Sequence, residues 1–318
     1  MSAPRILRIG TRASALALWQ ARQVGALIAA QPGAPAVELV HIKTSGDVQT
    51  EVPLWQVGGR AFFTREIDRA LLEGTVDVAV HSLKDLSTQI EPGLTLAATL
   101  SRADPRDALV SGVPLRQLPR GARVGTSSLR RRAFLARARP DARLLELRGN
   151  VPTRIERLER GDYDAIVVAA AGLARLGLEG HVREYLSPEQ FPPAVSQGVI
   201  GVCARAADAV TLPWLAALDD REARLAASAE RALLKHLEGG CQVPLGALAT
   251  VRDGMLTLHA TVCALDGSRY LSARGEAPAA AAAAEALGIR IAEELLAGGA
   301  GELIAHERES RAPAVEEP

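Results

Sequence analysis

This sequence is short of aromatic residues, of lysine and of cysteine, and it carries no excess charge of either sign. Aromatic side chains make up 3% of its 318 residues, too few for a site built on ring stacking. The formal net charge is zero, so nothing global draws the chain to nucleic acid or to an acidic membrane surface. No run reaches the roughly 18 apolar residues that span a bilayer. Arg5, Arg8 and Arg12 interrupt any signal-like stretch in "MSAPRILRIGTRASALALWQ". The expectation is a cytoplasmic protein with neither membrane nor nucleic acid as partner. The three cysteines, Cys203, Cys241 and Cys263, form no CxxC pair and the six histidines no HExxH. That argues against a disulfide framework and against a metal site. Lysine occurs only at positions 43, 84 and 235 among 37 basic residues, so Lys84 stands out in a chain that otherwise chooses arginine.

What is present is a soluble, globular composition, 48% hydrophobic and 23% charged, and a length that suits two or three domains. Strand-like and helix-like runs alternate from the start. "RILRIG", "AVELVHIK" and "VDVAVHS" read as strands, and "SALALWQARQVGALIAA" and "AFFTREIDRALLEG" as helices. The pattern restarts in "ARVGTSS", "LRRRAFLARA", "RLLELRG", "VPTRIERLERG" and "YDAIVVAAAG". Two α/β blocks, about 1–100 and 105–195, are expected, with parallel sheets. Past about 220 a long helix, "DREARLAASAERALLKHLEGG", precedes three antiparallel strands and an alanine-rich helix over about 278–297. The tail "HERESRAPAVEEP" reads as polar and disordered. "KTSGDVQTEVPLWQVGGRA" reads as a mobile flap.

Arginine recurs where predicted strands pass into helices: Arg12 in "GTRAS", Arg130 and Arg131 in "GTSSLRR", Arg148 and Arg154 in "LRGNVPTR", and Arg175 in "AAAGLAR". A cation in a first turn opposes the helix dipole at a cost of about 0.3–1 kcal/mol. Four such places, at strand ends where α/β folds bind ligands, imply an anion that offsets the cost. Six guanidiniums suit a ligand with several carboxylates. "VDVAVHSLKD" sets Lys84 and Asp85 just past a buried strand, either as a solvated lysine beside a capping aspartate or as a pair facing a cleft. In the second case Asp85 could stabilise a developing cation or move a proton. His81 reads as a structural hydrogen-bonder. Cys263 lies in an alternating strand and reads as core. Cys241, in "GGCQVPLG", has no evident packing role. The glycines of "QVGGRAFF" lack the spacing and lysine of a phosphate loop.

Together these stretches resemble the porphobilinogen deaminase family, the hydroxymethylbilane synthases of tetrapyrrole and heme biosynthesis. The resemblance runs in order from "RIGTRASALALWQ" through "GGRAFFTREID", "HSLKDLSTQIEPGL", "VGTSSLRRR" and "LRGNVPTRIERLERGDYDAIVVAAAGLARLGL" to "EGGCQVPLGALA". It implies two α/β lobes like those of periplasmic binding proteins, over 1–100 with a return segment at 200–218 and over 101–199. A small α+β C-terminal domain over 219–305 and a polar tail over 306–318 would follow. It implies a monomeric transferase that condenses four porphobilinogen molecules head to tail onto a covalent dipyrromethane, losing ammonia each time. Water then releases hydroxymethylbilane. Cys241 matches the cysteine that holds the dipyrromethane through a thioether, and Asp85 the catalytic aspartate. Lys84, Ser128, Arg130 and Arg131 match cofactor-binding positions. Arg12, Ser14, Arg148, Arg154 and Arg175 match positions that bind the acids of the substrate.

The chain departs from the family pattern at several points. Ser87 replaces proline behind Asp85, which should loosen that loop. Ser196 replaces the first glycine of a Gly-Gln-Gly, and Cys203 a glutamate. Arg60 and Ala61 replace lysine and glycine. Two other readings stay open on the residues alone. A non-enzymatic anion-binding module would explain the arginines but give Cys241 no task. An unrelated cysteine-nucleophile enzyme would need a histidine to form the thiolate, and His236 is near in sequence.

Overall fold

The structure, a computed structural model, describes residues 6–44, 64–237 and 244–309. The first lobe is built on β1 (Ile6–Thr11), α1 (Ala15–Ala29), β2 (Ala36–His41), α2 (Arg65–Leu72), β3 (Val78–Ser82) and β4 (Leu94–Thr99). Ser14 begins α1 by accepting a hydrogen bond from the Ala17 N–H at 3.3 Å, the usual work of a serine cap. Strand β3 is covered on both faces, hence its unbroken "VAV", whereas the edge strand β2 is partly exposed along its length.

The second lobe follows with β5 (Asp107–Ser111), β6 (Arg123–Gly125), α3 (Leu129–Ala138), β7 (Arg143–Leu145), α4 (Val151–Glu159), β8 (Ala165–Ala169), α5 (Ala170–Arg175) and β9 (Val182–Tyr185). The chain then returns through β10 (Ile200–Arg205) and α6 (Leu212–Ala216). Strand order is β2-β1-β3-β10-β4 in the first sheet and β7-β6-β8-β5-β9 in the second. The expected all-parallel sheets are therefore mixed. β10 runs antiparallel to β3 and β4, and β5 antiparallel to β8 and β9. The reason is connectivity: β3 ends at the seam between the lobes, and β10 begins there, with Ile200 opposite Ser82.

The third unit packs α7 (Arg221–His236) and α8 (Ala281–Ala297) on a meander of β11 (Leu245–Arg252), β12 (Met255–Cys263) and β13 (Tyr270–Pro278). Asp253 and Gly254, both at positive φ, form the tight β11–β12 turn. A further helix, α9 (Ala300–Glu309), occupies the start of the stretch read as a disordered tail. Its Glu307 carboxylate accepts from the Leu265 N–H at 2.9 Å, which ties it to the domain. Cys203 and Cys263 are 1% and 0% exposed. Burial pushes their thiols up to about 12 and about 11, so both are packing groups.

Two chain segments cross between the lobes and bond to each other. Ala103 N–H donates to the Gly198 carbonyl at 3.2 Å, and Arg102 Nε to the Gln197 carbonyl at 2.9 Å. A Cβ on Gly198, which sits at φ +92°, would stand 2.5 Å from the Ala103 oxygen, so only glycine fits. Glu230 of α7 is fully buried at this crossing. It accepts from Arg102 Nη1 at 2.6 Å, from Ser196 N–H at 2.5 Å and from Ala249 N–H at 2.7 Å, joining the third unit to both segments.

Ser196 holds φ +62° and is fully buried, and its Oγ has no hydrogen-bond partner among the described residues. A side chain in the left-handed region and an unmet hydroxyl both cost stability. Replacing Ser196 by glycine should raise unfolding free energy by about 1–2 kcal/mol in urea denaturation, after the greater freedom of glycine in the unfolded chain. Ser196→Ala should recover only the hydroxyl's share; equal gains for the two variants would remove backbone strain from the account.

Candidate functional site

The strand ends that meet at the seam carry most of the candidate residues. β1 leads through Arg12 to the Ser14 cap, and β3 into a tight turn over Leu83–Asp85. Arg12, Ser14, His81 and Asp85 thereby share the wall of one recess of about 80 Å³. Asp85 is exposed and Lys84 half-buried. Burial pushes the Lys84 ammonium down to about 8; Arg131 and Arg130 push the same way, against the pull of Asp85 and Asp107. The loop behind Asp85 is not left slack by Ser87. Arg231 of α7 donates to the carbonyls of Leu86 at 3.1 Å and Ser87 at 2.5 Å.

Across the seam, Ser128 begins α3 by accepting from the Arg131 N–H at 3.4 Å. Arg130 and Arg131 lie in the first turn, yet they are buried and meet an anion of the protein itself. Arg130 Nη2 bonds Asp107 Oδ2 at 2.8 Å, and Arg131 Nη2 and Nε bond Asp107 Oδ1 at 2.9 and 3.1 Å. Gln197 Nε2 adds a further bond to Oδ1 at 2.9 Å. Asp107 is fully buried, and the two guanidiniums hold its carboxyl well below the usual range against the opposing effect of burial. So Asp107 offsets much of the dipole cost that the sequence assigned to a ligand. No local motif in "SRADPRDALV" marks Asp107. Only its place at the start of β5 could have done so.

Arg154, in α4, is half-buried and donates from Nε to the Gly149 carbonyl at 2.8 Å. Burial lowers its guanidinium to about 10, helped by Arg131 and Arg148 and opposed by Glu146 and Asp85. Lys84 and Asp85 of the first lobe thus come close to Arg131 and Arg154 of the second, with Arg148 beside Arg154. Arg175 lies elsewhere. It ends α5 rather than beginning it, donates to the Gly198 carbonyl at 2.6 Å and stands 5.9 Å over the Trp19 ring. Burial lowers it to about 10. With Trp19 and Arg102 it lines a separate recess of about 700 Å³. Cys241 and nearly all of the flap read at 43–61 lie outside the described residues. Among the described residues no three histidine, cysteine or acidic side chains gather to hold a metal. No helix there is long and apolar enough to cross a membrane. The arrangement can hold several carboxylates and set a carboxylate beside a developing cation.

Residues 7–212 match the family described as "Porphobilinogen deaminase, dipyromethane cofactor binding domain", and residues 224–297 the "Porphobilinogen deaminase, C-terminal domain". Among solved structures the chain is similar to the methionine binding protein MetQ, at 13% identity and a TM-score of 0.44 over 67% of this chain and 89% of that one. It is also similar to a periplasmic substrate-binding protein of an ABC transporter from Coxiella burnetii, at 17% identity and a TM-score of 0.41. That match covers 71% of this chain and 96% of the other.

The crowding at Lys84 can be read directly. Below about pH 8 it is charged and able to hold an anion, and above that it is neutral. Its reductive methylation in the cofactor-free protein, followed on its own peptide, should rise about tenfold per pH unit and level off near 8. A rise that continues to pH 10 would show that neither burial nor the neighbouring cations depress it.

Proposed function

The chain belongs to the porphobilinogen deaminase family, whose two domains it carries, and from that premise we propose how its own residues divide the work. It is a transferase of tetrapyrrole synthesis, a hydroxymethylbilane synthase, with porphobilinogen as substrate and a domain for dipyrromethane. The observation that carries the residue assignment is the seam itself: one exposed carboxylate, Asp85, among cations whose charges burial and mutual repulsion leave undersatisfied. Such a surplus fits a cofactor that carries a carboxylate pair on each ring. When bound, the dipyrromethane supplies the nucleophilic pyrrole carbon to which units are added.

Lys84 and Ser128 hold its acids. Arg130 and Arg131, oriented by Asp107, supply a fixed positive field and the guanidinium edges not already bonded. Arg12, Ser14, Arg148 and Arg154 bind the acids of the incoming porphobilinogen. Arg175 enters this scheme only for rings that reach the separate recess it lines with Trp19. Asp85 accepts from the pyrrole N–H and stabilises the positive charge left on the ring as ammonia departs, an electrostatic role that needs no proton transfer. Cys241 is the attachment point, since Cys203 and Cys263 are buried with raised thiol pKa values and a thiolate is the nucleophile. The family resemblance supports a cytoplasmic monomer.

Intact-mass measurement with peptide mapping should find two porphobilinogen units, less their ammonia, on the Cys241 peptide. Cys241→Ser should carry none and be inactive; a loaded, active serine variant would move the attachment elsewhere. Asp85→Asn should still load cofactor and bind substrate but lose about 10²–10⁴-fold in kcat. A near-normal rate would remove Asp85 from the chemistry.

A further inference from the structure

One polar side chain in the wall of the Asp85 recess has no task in this scheme. His81 lies on β3, four residues before Asp85, and is 6% exposed. It lines the recess together with Arg12, Ser14 and Asp85. Its Nε2 is shut off from solvent and has no hydrogen-bond partner among the described residues. Of the polar groups in the same wall, Gln20 Nε2 donates to Ser82 Oγ at 2.9 Å, and Thr64 Oγ1 is, like His81 Nε2, without a partner among the described residues. Buried polar atoms are nearly always satisfied, so an unmet one on a residue of a functional recess wall points to something that enters the recess.

Chemistry narrows what that is. Burial and the nearby Arg12 charge push the imidazole down to about 4, so His81 is neutral at physiological pH. A neutral imidazole adds no charge to the hold on a carboxylate, which the guanidiniums already supply. The recess of about 80 Å³ has room for a few non-hydrogen atoms rather than a ring with two acid arms. In the function proposed above, on which this inference rests, the substrate acids face arginines and the ring N–H faces Asp85. What remains is the aminomethyl nitrogen: small, cationic and rich in N–H donors.

We propose that His81 Nε2 accepts a hydrogen bond from the aminomethyl nitrogen of porphobilinogen and seats the leaving group in this recess. As the C–N bond breaks, its electron pair leaves with nitrogen. Ammonia departs neutral, and the positive charge stays on the ring beside Asp85. No proton passes to His81. Its neutrality is the point, because an imidazolium there would repel both the ammonium and the cation that forms.

The test compares porphobilinogen with its hydroxymethyl analogue, in which –CH2OH replaces –CH2NH2, on loaded wild type, His81→Phe and His81→Gln. Loss of a hydrogen bond to a charged group should cost His81→Phe about tenfold or more in kcat/KM on the amine beyond its loss on the alcohol. His81→Gln, whose amide oxygen can accept near the Nε2 position, should recover part of that difference. Cofactor mass and melting temperature check that each variant is folded and loaded; if the phenylalanine variant is not, the glutamine variant should show the same preference in smaller measure. Equal losses on the two substrates, or none, overturn the contact. A wild type that consumes no porphobilinogen overturns the functional reading itself.

Discussion

Asp107 sits where three side chains from two distant parts of the chain need one anion. Its carboxylate fixes the two guanidiniums that open α3, and through Gln197 it also holds the segment that returns the chain to the first sheet. Two arginines packed side by side in a dry place would repel each other and resist burial. With Asp107 between them they become rigid, and their remaining positive charge is directed towards Lys84 and the seam. The position of α3, the path of the crossing segment and the charge on one side of the site all depend on this carboxylate.

Glu230 plays a matching part at the same crossing. It too is fully buried, and it is satisfied by one guanidinium and two backbone N–H groups. Removing one partner of such a buried charge is far more damaging than the pair itself is stabilising, because the other partner is left unmet. Both carboxylates act at the crossing, one from the second lobe and one from the third unit. Charge and hydrogen bonding thus specify the junction together with apolar groups that cross it: Cys263 of β12 packs in the core of the second lobe and Ala227 of α7 in that of the first.

Much of this was legible in the residues. "LRRRAFLARA" spans α3 as it stands, and the three strands of the last unit fall where alternation and the glycine turns place them. Sequence pattern reports local periodicity, so it missed what depends on partners distant in sequence. The antiparallel β5 and β10 follow from which end of the seam they enter, and no window of residues contains that. Arg175 shares a strand-to-helix signature with Arg12, yet α5 is so short that the same spacing places it at the opposite end of the helix. Ser196 is the reverse case. A serine where the family has glycine marked the position as unusual, and the left-handed backbone gives the physical reason.

Glu230 and Arg231 are neighbours on α7, yet one reaches the crossing and the other the carbonyls behind Asp85. Both depend on the same rotational phase of one helix. A single residue inserted between Arg221 and Glu230 would turn that pair by about 100° and release both anchors together. An insertion at the Asp253–Gly254 turn would only lengthen a surface hairpin. Relatives of this chain should therefore vary freely in length at that hairpin and hardly at all in the first half of α7, so the helix serves as a ruler that insertions and deletions must respect.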